Sequence, residues 1–300
     1  MLMHRAPRLK PGSKVVTTAP AGPVDPASLR AGIQVLESLG LDLEIPDGIM
    51  SKQGYLAGND QRRRSELLQY LSDTSYDCLW FARGGYGTMR TLETMEQLLP
   101  KTVTKLIVGF SDLTVLLNHF SRLFNLITIH GPTLSSLAGL SKKSMRHLRR
   151  LLFRGDGGLQ LTGESAVVEG KATGRLCGGN LSLICSTLGT PLEVCARGRI
   201  LFFEDIGEKP YRLDRMLTQL RLAGILGQAA GIAVGHLSSE VEPEDELVRV
   251  TRERLSDLDV PVLTGLEIGH RKDNLAVPIG ALATLDTSSL TLTIDEPAVF

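Results

Sequence analysis

The chain has 300 residues, 42% of them hydrophobic and 22% charged, enough to bury a sizeable core in one large domain or two ordinary ones. Lys plus Arg balance Asp plus Glu at 33 each, and aromatic residues amount to only 5%. Those values remove the bulk attraction and the stacking platforms that a nucleic-acid binder or a polybasic membrane anchor would need.

Residues 1–14 are rich in Pro, Lys and Arg without an apolar stretch, and no 18-residue apolar run follows, so neither a signal peptide nor a membrane span is expected. Residues 14–18 (KVVTT) read as a strand, and Asp25-Pro26 then supplies an N-cap and an N1 proline for a helix to about residue 39. Residues 41–45 read as a second strand, and 60–71 as a polar helix with Leu67, Leu68 and Leu71 on its apolar side. Apolar runs at 77–82, 105–109 and 126–129 complete a strand–helix alternation. It implies right-handed βαβ units and a parallel sheet, with ligands at the carboxyl ends of the strands. Beyond Arg154, residues 155–158 and 162–174 are Gly-rich and polar with little periodicity. They read as a linker, about 159–171, between an N-terminal α/β domain (1–158) and a smaller, mixed α+β C-terminal domain (172–300). Helices are expected at 180–188, 213–223 and 243–255, strands at 199–204 and 231–235, and an antiparallel hairpin within 281–294.

Four places could carry chemistry. In IVGFSDLT, Ser111 follows an apolar strand and precedes an apolar-periodic helix, which puts a hydroxyl on a strand-to-helix turn near free N–H groups. Leu113 replaces the second glycine of the GxSxG elbow, and a helix cap is the competing reading of Ser111. Arg83-Gly84-Gly85-Tyr86-Gly87 follows the strand at 77–82. It is neither GxGxxG nor a Walker loop, so no nucleotide cofactor is expected, and its N–H groups suit an oxyanion hole together with that of Asp112. Glu204 ends a strongly apolar run and is the acid most rigidly placed, whereas Asp205, Glu208 and Asp214 are expected in solvent. His270 lies in a Gly/Asn/Pro loop, and His130, in ITIHGP, is the rival base. Cys78, Cys177, Cys185 and Cys195 lack CxxC spacing and read as reduced thiols; the six histidines form no HExxH or Cys/His cluster, so no metal is expected.

RGGYG, GFSD, HGP, GGNLSLICSTLGTP, FFEDIGEKPYRLDRML and GHRKDNLAVPIG, in that order, resemble the LD-carboxypeptidase family of serine peptidases. The resemblance runs from about residue 15 to about 286. It implies an N-terminal flavodoxin-like domain, similar to class I glutamine amidotransferases, a C-terminal domain, and an active site between them. It puts the nucleophile on Ser111, the acid on Glu204, the base on His270 and the oxyanion hole on the N–H groups of Asp112 and Gly85. Arg83, Gly84 and Tyr86 are the expected substrate contacts, Arg83 as partner of a free carboxylate. The implied activity is cytoplasmic release of the terminal D-alanine from a muropeptide, murein tetrapeptide, without metal or cofactor; a homodimer is compatible with it. Two alternatives stay open: a peptidase resembling the microcin C immunity enzyme, and a catalytically silent binding protein on the same fold. A Cys-dependent amidotransferase is disfavoured because no cysteine sits at an elbow.

Overall fold

Residues 3–93, 95–239 and 243–300 are described in a computed structural model; the first two residues of the N-terminal segment lie outside them. Five strands of the first half are β1 (Lys14–Thr18), β2 (Asp42–Glu44), β3 (Cys78–Phe81), β4 (Leu106–Gly109) and β5 (Thr128–His130). They pair in parallel in the order β5-β4-β3-β1-β2. That is the flavodoxin-like doubly wound arrangement. β3 and β4 are buried along their whole length, which is why they read as unbroken apolar runs. Asp25 caps the Pro26–Ser38 helix through the Ser28 N–H, as the Asp-Pro pair implies.

The second sheet comprises β6 (Leu159–Thr162), β7 (Ser165–Val168), β8 (Lys171–Asn180), β9 (Ile200–Asp205), β10 (Gly231–Leu237) and β11 (Val262–Thr264), with β13 (Leu282–Asp286) and β14 (Thr291–Ile294). β8 to β11 are parallel neighbours, and antiparallel strands flank them in the order β6-β14-β13-β8-β9-β10-β11-β7. The segment expected as a linker is therefore sheet. β6 and β7 have four residues each, and β6 alternates buried leucines with exposed polar residues. A period that short, punctuated by glycines, resembles a loop in sequence. The hairpin at 281–294 is present as β13–β14.

β12 (Val277–Ile279) crosses the expected domain boundary by pairing antiparallel with β5 on the edge of the first sheet. Its Pro278 is tolerated because an edge strand leaves one side of the ladder unpaired. One hydrophobic core spans both sheets and includes Leu113, Leu116, Leu176, Phe202 and Leu263. A second cluster lies on the other face of the C-terminal sheet. The Asn118 side chain donates to the Gly178 carbonyl (2.8 Å) and accepts from its N–H (3.0 Å), and the Asn180 N–H donates to Thr114 Oγ1 (2.9 Å). These bonds bring the carboxyl end of β8 against the helix that follows Ser111. Among the described residues no helix is long and apolar enough to cross a membrane.

Candidate active site

β4 ends at Gly109, and Ser111–Leu113 form one 3-10 turn before the Thr114–Phe124 helix. Ser111 has φ +65°, left-handed backbone that a non-glycine residue adopts at a cost of about 1–3 kcal/mol and that persists where the surroundings enforce it. The turn is thus a strained elbow although Leu113, fully buried, stands at the GxSxG glycine position. The helix begins after Leu113 with no side-chain cap among the described residues, so the cap reading of Ser111 fails.

The RGGYG turn lies directly against the elbow. A Cβ on Gly84 would come within 2.9 Å of Ser111 Cβ and 3.4 Å of the Asp112 nitrogen, so only glycine fits. The buried Asp112 carboxylate accepts from the Thr88 N–H (2.8 Å) and hydroxyl (2.6 Å), bracing the helix that opens just past RGGYG. Burial pushes the Asp112 pKa up, against the lowering effect of those two bonds. The Arg83 side chain is exposed and donates to the Pro23 carbonyl. Tyr86 is exposed, with its ring 5.7 Å from that of Tyr55.

Glu204 is fully buried at the carboxyl end of β9, and its Oε2 accepts from His270 Nδ1 at 2.7 Å. Gly269, at φ +132°, permits this approach; a Cβ there would stand 2.8 Å from Glu204 Oε2. Burial pulls the His270 pKa down, but the bond to Glu204 and its charge prevail, and the imidazole titrates above its ordinary value. The Phe110 ring packs against His270 at 4.6 Å between centroids, so the residue preceding the serine touches the histidine. Among the described residues no hydrogen bond joins Ser111 to His270; such bonds commonly close only in the Michaelis complex.

Asp205 departs from expectation. It is buried, and its carboxylate accepts from Asn180 Nδ2, the Ser182 N–H and hydroxyl, and the Ile206 N–H. It braces the start of the Leu181–Ser186 helix beside Glu204. His130 is inside β5 rather than beyond it, buried edge-on to Phe110 and Phe202. Among the described residues neither of its ring nitrogens has a hydrogen-bond partner, and burial drops its pKa to about 3. It is a neutral ring under Phe110.

Sequence reasoning missed how the His270 loop is held. The Asn274 N–H donates to Ser144 Oγ (2.9 Å), Asn274 Oδ1 accepts from the Gly269 N–H (3.1 Å), and the Ser141 N–H donates to the Lys272 carbonyl (2.9 Å). His147 Nε2 bonds the Ala276 carbonyl at 2.9 Å. Helix Lys142–Arg149 therefore braces the loop, a long-range tie with no local signature.

A serine on a strained elbow and a buried Glu–His pair, both at carboxyl ends of parallel strands, are the equipment of a serine hydrolase. The sequence matches the LD-carboxypeptidase N-terminal domain over residues 15–131 and the LD-carboxypeptidase C-terminal domain over residues 173–285, and the chain belongs to the LD-carboxypeptidase family. It is 37% identical to a probable murein peptide carboxypeptidase of Bacillus subtilis, across 98% of this chain and 95% of that protein. Among solved structures, muramoyltetrapeptide carboxypeptidase from Oxalobacter formigenes matches with TM-score 0.82 and 27% identity over 96% of this chain and 99% of the other. MccF in complex with glutamyl sulfamoyl guanosine matches with TM-score 0.83 over 99% of both chains, a shared fold at 21% identity.

Proposed function

We propose that this chain is a serine carboxypeptidase that hydrolyses the L,D-peptide bond of murein tetrapeptide and releases the C-terminal D-alanine, in the cytoplasm, during cell-wall recycling. The observation that carries the reading is the 2.7 Å bond between buried Glu204 and His270, in a chain whose Ser111 occupies a strained elbow. His270 Nε2 takes the Ser111 proton as Oγ attacks the scissile carbonyl. The acyl-enzyme forms and D-alanine leaves with the proton that His270 returns; water, activated by the same imidazole, then releases the shortened peptide. Glu204 fixes the Nδ1–H tautomer and stabilises the imidazolium. The N–H groups of Asp112 and Gly85 receive the oxyanion, and Arg83, by turning away from Pro23, meets the substrate carboxylate.

The reading resembling the microcin C immunity enzyme asks for an aromatic platform under a nucleobase. Trp80, the only tryptophan, is fully buried and donates to the Pro132 carbonyl at 2.8 Å, so it supplies none. The test is mass spectrometry of purified murein tetrapeptide with the enzyme. Loss of one D-alanine is expected; an intact tetrapeptide beside a cleaved aminoacyl sulfamoyl adenosine would reverse the assignment.

A further inference from the structure

The chain is neutral overall, yet residues 142–154 (KKSMRHLRRLLFR) hold six cations and no acid. Five of them, Lys142, Arg146, Arg149, Arg150 and Arg154, line one groove of about 710 Å³. Its apolar lining comes from Val35, Leu137, Leu140, Met145 and Phe153, all buried or half-buried, so the apolar surface is recessed while the charges stand at the rim. The structural duties of this segment fall on other residues: Ser144 and His147 brace the His270 loop, and Lys143 pairs with Glu267. Arg150 pairs with Asp156 at 2.8 Å. Lys142, Arg146, Arg149 and Arg154 pair with no acid among the described residues. Spacings of three and four residues put like charges side by side on one helical face, an arrangement that is repulsive until an anion enters.

We propose that this groove binds an organic polyphosphate of the nucleoside di- or triphosphate class. Guanidinium forks match phosphate oxygens bidentately, and several of them converging on one concavity suit a ligand with several adjacent charges. The volume lies in the range of small-molecule sites. The recessed apolar residues suit a ligand with a ring to insert, whereas a bilayer is met by apolar groups that protrude. The groove adjoins the cleft at His270, with Leu140 lining both, but none of its cations belongs to the proposed catalytic set. The inference is independent of the murein reading.

The experiment is isothermal titration calorimetry on the full chain at low salt, with ATP and with inorganic tripolyphosphate as probes. One saturable site is expected, tighter for ATP than for tripolyphosphate and weakened by added salt. The double variant Arg146→Gln/Arg149→Gln should lose about tenfold or more in affinity with an unchanged melting temperature. Arg252→Gln, on the far domain, should bind as wild type. Equal affinity for the two probes would reassign the groove to inorganic polyphosphate. Absence of saturable heat with both, equal loss in Arg252→Gln, or binding of anionic vesicles or acidic peptides alone would overturn the proposal.

Discussion

A methyl group on Gly84 would stand 2.9 Å from Ser111 Cβ and 3.1 Å from its hydroxyl, so the RGGYG turn and the elbow define each other's position. Gly84→Ala must therefore displace one of them, and the elbow, already strained at φ +65°, is the part whose placement matters for attack. Overpacking of this kind costs about 1–3 kcal/mol in stability. The expected loss in kcat is about 10²-fold, since small misplacements of reacting groups are that expensive. Steady-state kinetics beside a thermal melt checks this. A variant destabilised but fully active would show that the turn can retreat without touching the serine.

Ser111→Ala should fold and lose about 10⁶-fold in kcat, the usual consequence of deleting a serine nucleophile. Ser111→Gly should be as inactive but melt higher than Ser111→Ala, because glycine relieves left-handed strain worth about 1–3 kcal/mol. A serine-directed phosphonate should label the wild type only. Turnover should also survive EDTA and phenanthroline, since in the proposed mechanism Ser111, His270 and the backbone N–H groups supply nucleophile, base and electrophile. Activity of Ser111→Ala within tenfold of wild type, or loss on chelation with recovery on adding zinc, would remove the serine mechanism.

The Glu204–His270 bond has a pH signature. In the proposed mechanism His270 acts as base, and only when neutral; Glu204 raises its pKa above the ordinary 6.5 against the opposing effect of burial. kcat/KM should thus fall on the acid side with a midpoint above 6.5, later in an acid titration for any variant that lacks the Glu204 charge. Glu204→Gln keeps the side-chain shape but removes that charge, so its acid limb should move to lower pH while the plateau drops by about 10²–10⁴-fold. A limb that stays in place in Glu204→Gln would mean that another group titrates.

Much of this was legible along the chain. Buried parallel strands such as β3 and β4 are continuous apolar runs, and an Asp-Pro pair marks a helix start wherever it precedes an amphipathic period. Two of the residues proposed for the site stand at the carboxyl edge where parallel sheets bind ligands, Ser111 just past β4 and Glu204 at the carboxyl end of β9, and the apolar runs before them carry that placement in sequence. What could not be read was pairing at a distance. β12 was absorbed into the loop of His270 because its three residues include a proline, and only its ladder with β5 makes it a strand. The linker became β6 and β7 because short edge strands hide their period. Asp205 was expected in solvent, although its carboxylate meets four donors from Asn180, Ser182 and Ile206, three of them on β8 and the helix that follows it.

His130 is the last residue of β5 and His270 lies in the loop between β11 and β12, and their surroundings set them apart further. His270 is partly exposed and bonded to Glu204, whereas His130 is enclosed by Phe110 and Phe202, without a hydrogen-bond partner among the described residues and held neutral with a pKa of about 3. A buried polar ring without partners contributes little that an apolar ring of similar shape would not, so His130→Phe should fold with a melting temperature equal to or above wild type. Its activity should stay within about tenfold, any loss coming from a shift of Phe110 against His270. His270→Phe should be inactive. Ser111→Ala and His270→Ala should be strongly non-additive, because each disables the same proton-transfer unit and the second change has little left to remove. The measurement is kcat/KM for both single alanine variants, their double variant and His130→Phe on one tetrapeptide, with melts alongside. A double variant much slower than either single, or a dead His130→Phe beside an active His270→Phe, would transfer the base to His130 and undo the triad.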